Sequence, residues 1–98
     1  MSKVKDMDLA EEGKKLLDWA VSNMPVLASI RERFKKEKPL SGIRVGVALH
    51  LEKKTGILLE TLVAGGAEVS AASCNPLTTD DRIAAALADD INVFAWAG

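Results

Sequence analysis

Three short runs limit what this chain can fold into: "IRVGVAL" (43–49), "EVSAAS" (68–73) and "INVFAW" (91–96). Each places small residues between β-branched or aromatic ones, the signature of a strand on a packed sheet. The segments between them, "EKKTGILLETLVAGG" and "TTDDRIAAALADD", are helical in pattern. Strands separated by a helix cannot pair as tight hairpins; they lie parallel, joined by right-handed crossovers. Gly65 and Gly66 mark the end of the first helix. Thr78 or Thr79, followed by two aspartates, begins the second, because unpaired amides at a helix start attract oxygen acceptors and negative charge. Residues 43–96 are therefore expected to form a βαβαβ unit with a three-stranded parallel sheet.

The part before it is expected to be helical over 1–37. In 8–24, Leu9, Gly13, Leu16, Leu17, Ala20, Val21 and Met24 share one face, with Glu11, Glu12, Lys14, Lys15 and Asp18 mostly opposite. Asp8, with Glu11 three residues on, suggests the N-cap. Pro25 ends this helix and a second runs over 25–37, with Val26, Leu27, Ile30 and Phe34 on one stripe. "KPLSG" (38–42) links to the first strand. The reading is one α/β domain over 1–98, two helices and then βαβαβ, a partial doubly wound sheet of the Rossmann or flavodoxin kind.

Bulk composition excludes several roles. With 13 basic and 14 acidic residues and a net charge of -1, the chain lacks the basic excess of a nucleic-acid binder. The basic cluster at 31–38 is interleaved with Glu32 and Glu37 and reads as a solvated helix face. A single cysteine, Cys74, permits no internal disulfide and points to a reducing cytoplasm. No apolar run approaches a membrane span and the start has no signal-peptide pattern.

In a parallel sheet the strands' C-terminal ends share one edge, and ligands bind there. Those ends are Leu49-His50-Leu51-Glu52, Ser73-Cys74-Asn75-Pro76 and Trp96-Ala97-Gly98. "HLEKKT" and "SCNPLTTD" thus become neighbours. A lone histidine at a strand end is either a satisfied structural group or a ligand contact, and its position on this edge favours contact. Glu52 reads equally as a helix cap, Cys74 as a small core filler, Thr78 and Thr79 as caps, Trp19 and Trp96 as packing residues. Lys53 and Lys54 gain nothing from the positive end of a helix, so a cation there is an anomaly that favours function. No G-x-G-x-x-G or P-loop occurs, and one histidine with one cysteine argues against zinc. A Cys74–His50 dyad lacks an identifiable orienting group and oxyanion hole.

The order and spacing of "LAEEGKKLLDWAVSNMPVLASIRERF", "PLSGIRVGVALHLEKKTGILLETLVAGGAEV", "SCNPLTTDD" and "VFAWAG" resemble the N-terminal part of the S-adenosylhomocysteine hydrolase family over nearly all 98 residues. "HLEKKT" resembles the archaeal and thermophilic form; the eukaryotic form has Thr and Glu where this chain has Glu52 and Lys54. The resemblance implies an enzyme that reversibly hydrolyses S-adenosylhomocysteine to adenosine and homocysteine. A tightly held NAD oxidises the 3′-hydroxyl, homocysteine is expelled, water adds, and the ketone is reduced. It places His50, in an assisting catalytic role, beside the sugar and thioether. Glu52, Lys54 and Thr55 border the purine and ribose; Cys74, Asn75 and Thr78 line the opposite wall. Asp80 stands where the family has Gln, which leaves the role of that amide open.

The same resemblance implies what lies elsewhere. The family's NAD-binding domain and its main acid, base and lysine follow the point where this chain stops. The 98 residues are expected to bind no NAD and to be inactive alone, as a fragment or one half of a split enzyme that needs its missing C-terminal part. The family forms homo-oligomers, and a sheet without its later neighbours is expected to self-associate. Lys54 suits a 6-oxo purine, which makes S-inosylhomocysteine an alternative substrate, with Glu52 as the competing acceptor for adenine. A non-catalytic α/β interaction module is the reading from a different class.

Overall fold

The structure, a computed structural model, describes residues 2–75 and 77–95. Strands β1 (Lys3–Val4), β2 (Arg44–Leu49), β3 (Glu68–Ser73) and β4 (Asn92–Ala95) form one parallel sheet in the order β1-β4-β3-β2. β2 and β3 pair from Arg44↔Glu68 to Leu49↔Ser73, and β3 and β4 from Ser70↔Asn92 to Ala72↔Phe94. The three expected strands are present and parallel. Trp96, at the end of the third expected run, lies outside the described residues.

The sheet has four strands rather than three. Lys3 and Val4 pair with Phe94 and Ala95, so the region 1–37 opens with a strand before its helices. Two residues are too few to display a period-2 pattern, and their partner lies about ninety residues away, beyond the reach of local reading. Ser2 anchors the pairing: its Oγ donates to the Ile91 carbonyl (3.2 Å) and accepts from the Val93 amide (2.9 Å).

Helices α1 (Ala10–Ser22), α2 (Pro25–Glu37), α3 (Lys53–Ala64) and α4 (Asp81–Leu87) match the expected segments, with caps displaced at two of them. A 3₁₀ turn at Met7–Leu9 precedes α1. Asp6 rather than Asp8 caps this turn, its extended backbone (φ -159°) letting its side chain accept from the Asp8 amide, and α1 itself starts after Leu9 with no side-chain cap. α4 is capped by Asp80, not Thr78 or Thr79. Pro25 occupies the first turn of α2, where a missing amide proton costs nothing. Gly65 closes α3, and Gly66 (φ +96°) makes the left-handed turn into β3.

Along β3 and β4, Val69, Ala71, Val93 and Ala95 are buried against Leu17, Ile57, Leu59, Ile83 and Leu87 from the helices. Their neighbours Ser70, Asn92 and Phe94 are exposed, as are Gly46 and Ala48 on β2. One sheet face thus packs on the helices and the other is open. Parallel sheets are ordinarily covered on both faces, because βαβ crossovers supply helices to each. Among the described residues no helix is long and apolar enough to cross a membrane.

The expected apolar face of α1 carries the helix packing: Gly13, Leu17 and Ala20 are buried, and Leu16, Val21 and Met24 flank them. Gly13 has a strict steric role. A Cβ there would lie 1.8 Å from the Arg82 carbonyl oxygen and 2.9 Å from Ala86 Cβ, so α1 meets α4 backbone against backbone at this point. Gly13→Ala should therefore destabilise despite alanine's better helix propensity. We expect a loss of about 1–3 kcal/mol from overpacking, read in urea unfolding. An increase in the urea midpoint would show that the helices separate freely.

Candidate functional site at the strand ends

Because Leu49 pairs with Ser73, the residues that follow each strand emerge side by side. The Cys74 amide donates to the Leu49 carbonyl (3.3 Å), which brings Cys74 against His50. His50 Nδ1 lies 2.6 Å from Thr78 Oγ1 and 3.7 Å from Cys74 Sγ. The Asp80 amide donates to the carbonyl of fully buried Leu51 (2.8 Å), tying the start of α4 to the start of α3. The two loops expected to converge do so, and His50 touches both Cys74 and Thr78.

Asn75 builds the turn that delivers Thr78. Its Oδ1 accepts from the Leu77 amide (2.8 Å) and its carbonyl accepts from the Thr78 amide (3.2 Å). That carbonyl also faces the hydroxyls of Thr79 (2.9 Å) and Ser73 (3.1 Å). Ser73 and Thr79 hydroxyls are themselves in close contact, and Thr79 is buried. This hydroxyl pair escaped the sequence, where "TT" read only as alternative caps. Leu77, 87% exposed, projects beside Thr78 and Glu52 along an open depression. A large apolar side chain left this bare next to polar groups is the further feature that local pattern did not single out.

Glu52 caps α3. Its carboxylate accepts from the Lys54 amide (3.0 Å), the Thr55 amide (3.0 Å) and Thr55 Oγ1 (3.2 Å). Burial pushes this carboxyl up, but the donated hydrogen bonds and the Lys54 charge outweigh it and hold it below the ordinary carboxylate range. Asp80 is held the same way. Burial raises it, and hydrogen bonds from the Arg82 side chain and amide bring it below its ordinary value. Arg82 links Asp80 to Glu12 of α1 through contacts of 3.0 and 3.3 Å.

The two lysines at the α3 start differ. Lys53 Nζ sits 5.0 Å from the centre of the Trp19 ring, a cation–π contact that accounts for its presence at a positive helix end and for the exposed Trp19. Lys54 is exposed, and its ammonium makes no hydrogen bond or ion pair among the described residues. No cluster of three or more metal-ligating side chains occurs among the described residues. A separate crevice lies between the far ends of α2, α3 and α4, where Arg31 and Glu60 pair at 3.2 Å.

The family model for S-adenosyl-L-homocysteine hydrolase matches residues 1–98. The chain belongs to this family. It is 54% identical over 96 residues to S-inosyl-L-homocysteine hydrolase of Methanopyrus kandleri and 55% over 97 residues to adenosylhomocysteinase of Sulfolobus acidocaldarius. These alignments cover 97% and 98% of this chain and 23% of each relative. A second S-inosyl-L-homocysteine hydrolase, from Methanocaldococcus jannaschii, is 54% identical over 99 residues, with 24% of its length covered. The chain therefore spans about a quarter of the length of the hydrolases it matches.

The residue that departs from the hydrolase family's resembled pattern, Asp80, has a structural task in this member. It caps α4 and holds Arg82. Both capping carboxylates have depressed folded values, so each contributes stability above the ordinary carboxylate range. That contribution is lost as pH falls through the lowered folded value. Half-buried Glu60 is raised by burial and runs in the opposite sense, but it is common to the variants and cancels in differences. Glu52→Gln and Asp80→Asn should each cost about 0.5–2 kcal/mol at neutral pH. Each should also shrink its difference from wild type as the solution is acidified through pH 4 to about pH 2. Urea unfolding across that range checks both; a difference that stays constant with pH would remove the assignment of charged caps.

Proposed function

We propose that this chain supplies one wall of the nucleoside pocket of an enzyme that hydrolyses a nucleoside–homocysteine thioether. The observation that carries the reading is the convergence of His50, Cys74 and Thr78 at one end of the sheet, beside Glu52, Lys54 and Thr55. His50 serves the sugar and thioether in an assisting role, Lys54 and Thr55 with Glu52 border the base and ribose, and Cys74, Asn75 and Thr78 form the facing wall. The exposed free thiol of Cys74 is consistent with a reducing cytoplasm.

NAD, which the family implies, does not fit the residues of this chain. A pyrophosphate needs free amides at a helix start. Here the amides of Lys54, Thr55 and Arg82 are already engaged by the carboxylates of Glu52 and Asp80, whose charge repels an anion. In this reading the dinucleotide is held outside these 98 residues, beyond the quarter of its relatives' length that they match.

Within this reading the base is a 6-oxo purine, as in the substrate for which two of the relatives are named. Glu52 has three of its roughly four acceptor positions occupied by the cap. The Lys54 ammonium, a donor only, is exposed and uncommitted. A keto oxygen accepts from it, whereas the amino group of adenine presents a second donor. The test is a chimera in which residues 1–98 replace the matching segment of the Sulfolobus acidocaldarius relative, assayed for homocysteine release from both thioethers. Lys54→Glu should lower the inosyl-to-adenosyl turnover ratio by about tenfold or more, the worth of one mispaired polar group. An unchanged ratio would sink the base assignment while leaving the hydrolase reading intact.

We also propose that the open sheet face is covered in the working protein, as in a doubly wound, Rossmann-like substrate domain with a second helical layer. Without that layer, Phe94, Ala48 and the edge of β2 are left to pair with another copy. The isolated chain should sediment as a dimer or larger at tens of micromolar; a strictly monomeric boundary would overturn this.

A further inference from the structure

We infer that Thr78 holds neutral His50 in the tautomer protonated on Nε2, so that the imidazole presents an N–H donor rather than a basic nitrogen. The inference deepens the proposed site, because it assigns Thr78 a positioning role and His50 a polarity.

The argument is a count of protons and lone pairs. Thr78 Oγ1 carries one proton and has two acceptors within reach: His50 Nδ1 at 2.6 Å and the Asn75 carbonyl at 3.2 Å. A carbonyl oxygen offers two lone pairs. At Asn75 the Thr78 amide (3.2 Å) and the Thr79 hydroxyl (2.9 Å) already claim them, and the Ser73 hydroxyl also stands 3.1 Å away. A further donor from Thr78 would find no free acceptor position. The ring nitrogen is nearer and unclaimed, so the Thr78 proton points to Nδ1.

A second group is compatible with this tautomer. Cys74 Sγ lies 3.7 Å from the same nitrogen, and a thiol is a weak donor as well as a weak acceptor. With Nδ1 unprotonated, it accepts from Thr78 and faces the S–H. With Nδ1 protonated, Thr78 would have to turn its proton to the crowded carbonyl. The neutral ring has one proton, so it resides on Nε2, and Nε2 has no hydrogen-bond partner among the described residues. In the pocket proposed above, that N–H meets an acceptor on the substrate: a sugar oxygen, the thioether sulfur or the homocysteine carboxylate.

His50 is the only histidine in the 98 residues, so one long-range proton–nitrogen correlation spectrum reads its tautomer without assignment ambiguity. The measurement is made at about pH 8, above the ordinary imidazole value and below the ordinary thiol value. The expected result is a protonated, pyrrole-type Nε2 and an unprotonated Nδ1 shifted by an accepted hydrogen bond. Thr78→Val should move the Nδ1 signal to the position of a ring nitrogen without a donor, and Thr78→Ser should restore it. A pyrrole-type Nδ1 in the wild-type chain would overturn the inference on its own, whatever the variants do. So would an Nδ1 signal indifferent to Thr78→Val. Neither readout involves substrate or turnover, so failure here is separable from failure of the hydrolase reading.

Discussion

The hydrogen bond from the Asp80 amide to the Leu51 carbonyl, 2.8 Å long, is the constraint on which the strand-end site depends. Leu51 is fully buried, so its backbone has no water to turn to. Leaving such a carbonyl unpaired would cost about 1–3 kcal/mol. The start of α4 is therefore drawn to the start of α3. His50 and Glu52 flank the buried leucine on one chain segment, and Thr78 lies two residues before the amide on the other. Relative placement of the two walls is thus decided by the hydrophobic core rather than by the polar side chains that the walls display. The contact between His50 and Thr78 follows from it.

Both helices that begin at this edge carry a carboxylate at their first turn, and this divides the labour of the site. A helix start is otherwise an anion receptor. Glu52 and Asp80 occupy that role internally, which stiffens the loops and leaves the edge with neutral or cationic groups to offer: the imidazole, two hydroxyls, a thiol and the Lys54 ammonium. Such a set offers hydrogen-bond donors and acceptors rather than a cradle for a phosphate. It also explains why Lys54 tolerates an unfavourable position at a positive helix end. Lys53 gains the Trp19 ring there, while Lys54 gains only the nearby Glu52 charge.

The architecture was legible wherever residues near in sequence act together. Apolar periodicity placed α1, the glycine pair ended α3, and three β-branched runs predicted three parallel strands. Topology alone then brought "HLEKKT" and "SCNPLTTD" to one edge. What stayed hidden depends on distant partners or on a choice among adjacent equivalents. β1 is two residues whose pairing lies at the far end of the chain. In "TTDD" four successive residues are all competent caps, and only the Leu51 carbonyl selects Asp80. Thr79, freed from capping, goes inward to Ser73 and the Asn75 carbonyl. Asp6 likewise displaced Asp8 because a 3₁₀ turn begins one step earlier than the amphipathic stripe. The functional assignments of single residues came from family resemblance, since composition and spacing left His50 and Glu52 with structural alternatives.

The open sheet face bears on the site through geometry. His50 and Cys74 follow directly from the ends of β2 and β3, whose outward residues Gly46, Ala48 and Ser70 are small and exposed. Small side chains on a flat sheet permit close approach by a covering layer, and burying Phe94 would reward it. Any element laid across that face ends at the same edge as the strands and so borders the same cluster. A unit spanning a quarter of its relatives' length thus folds around a core of its own and still leaves one sheet face open beside the strand-end cluster.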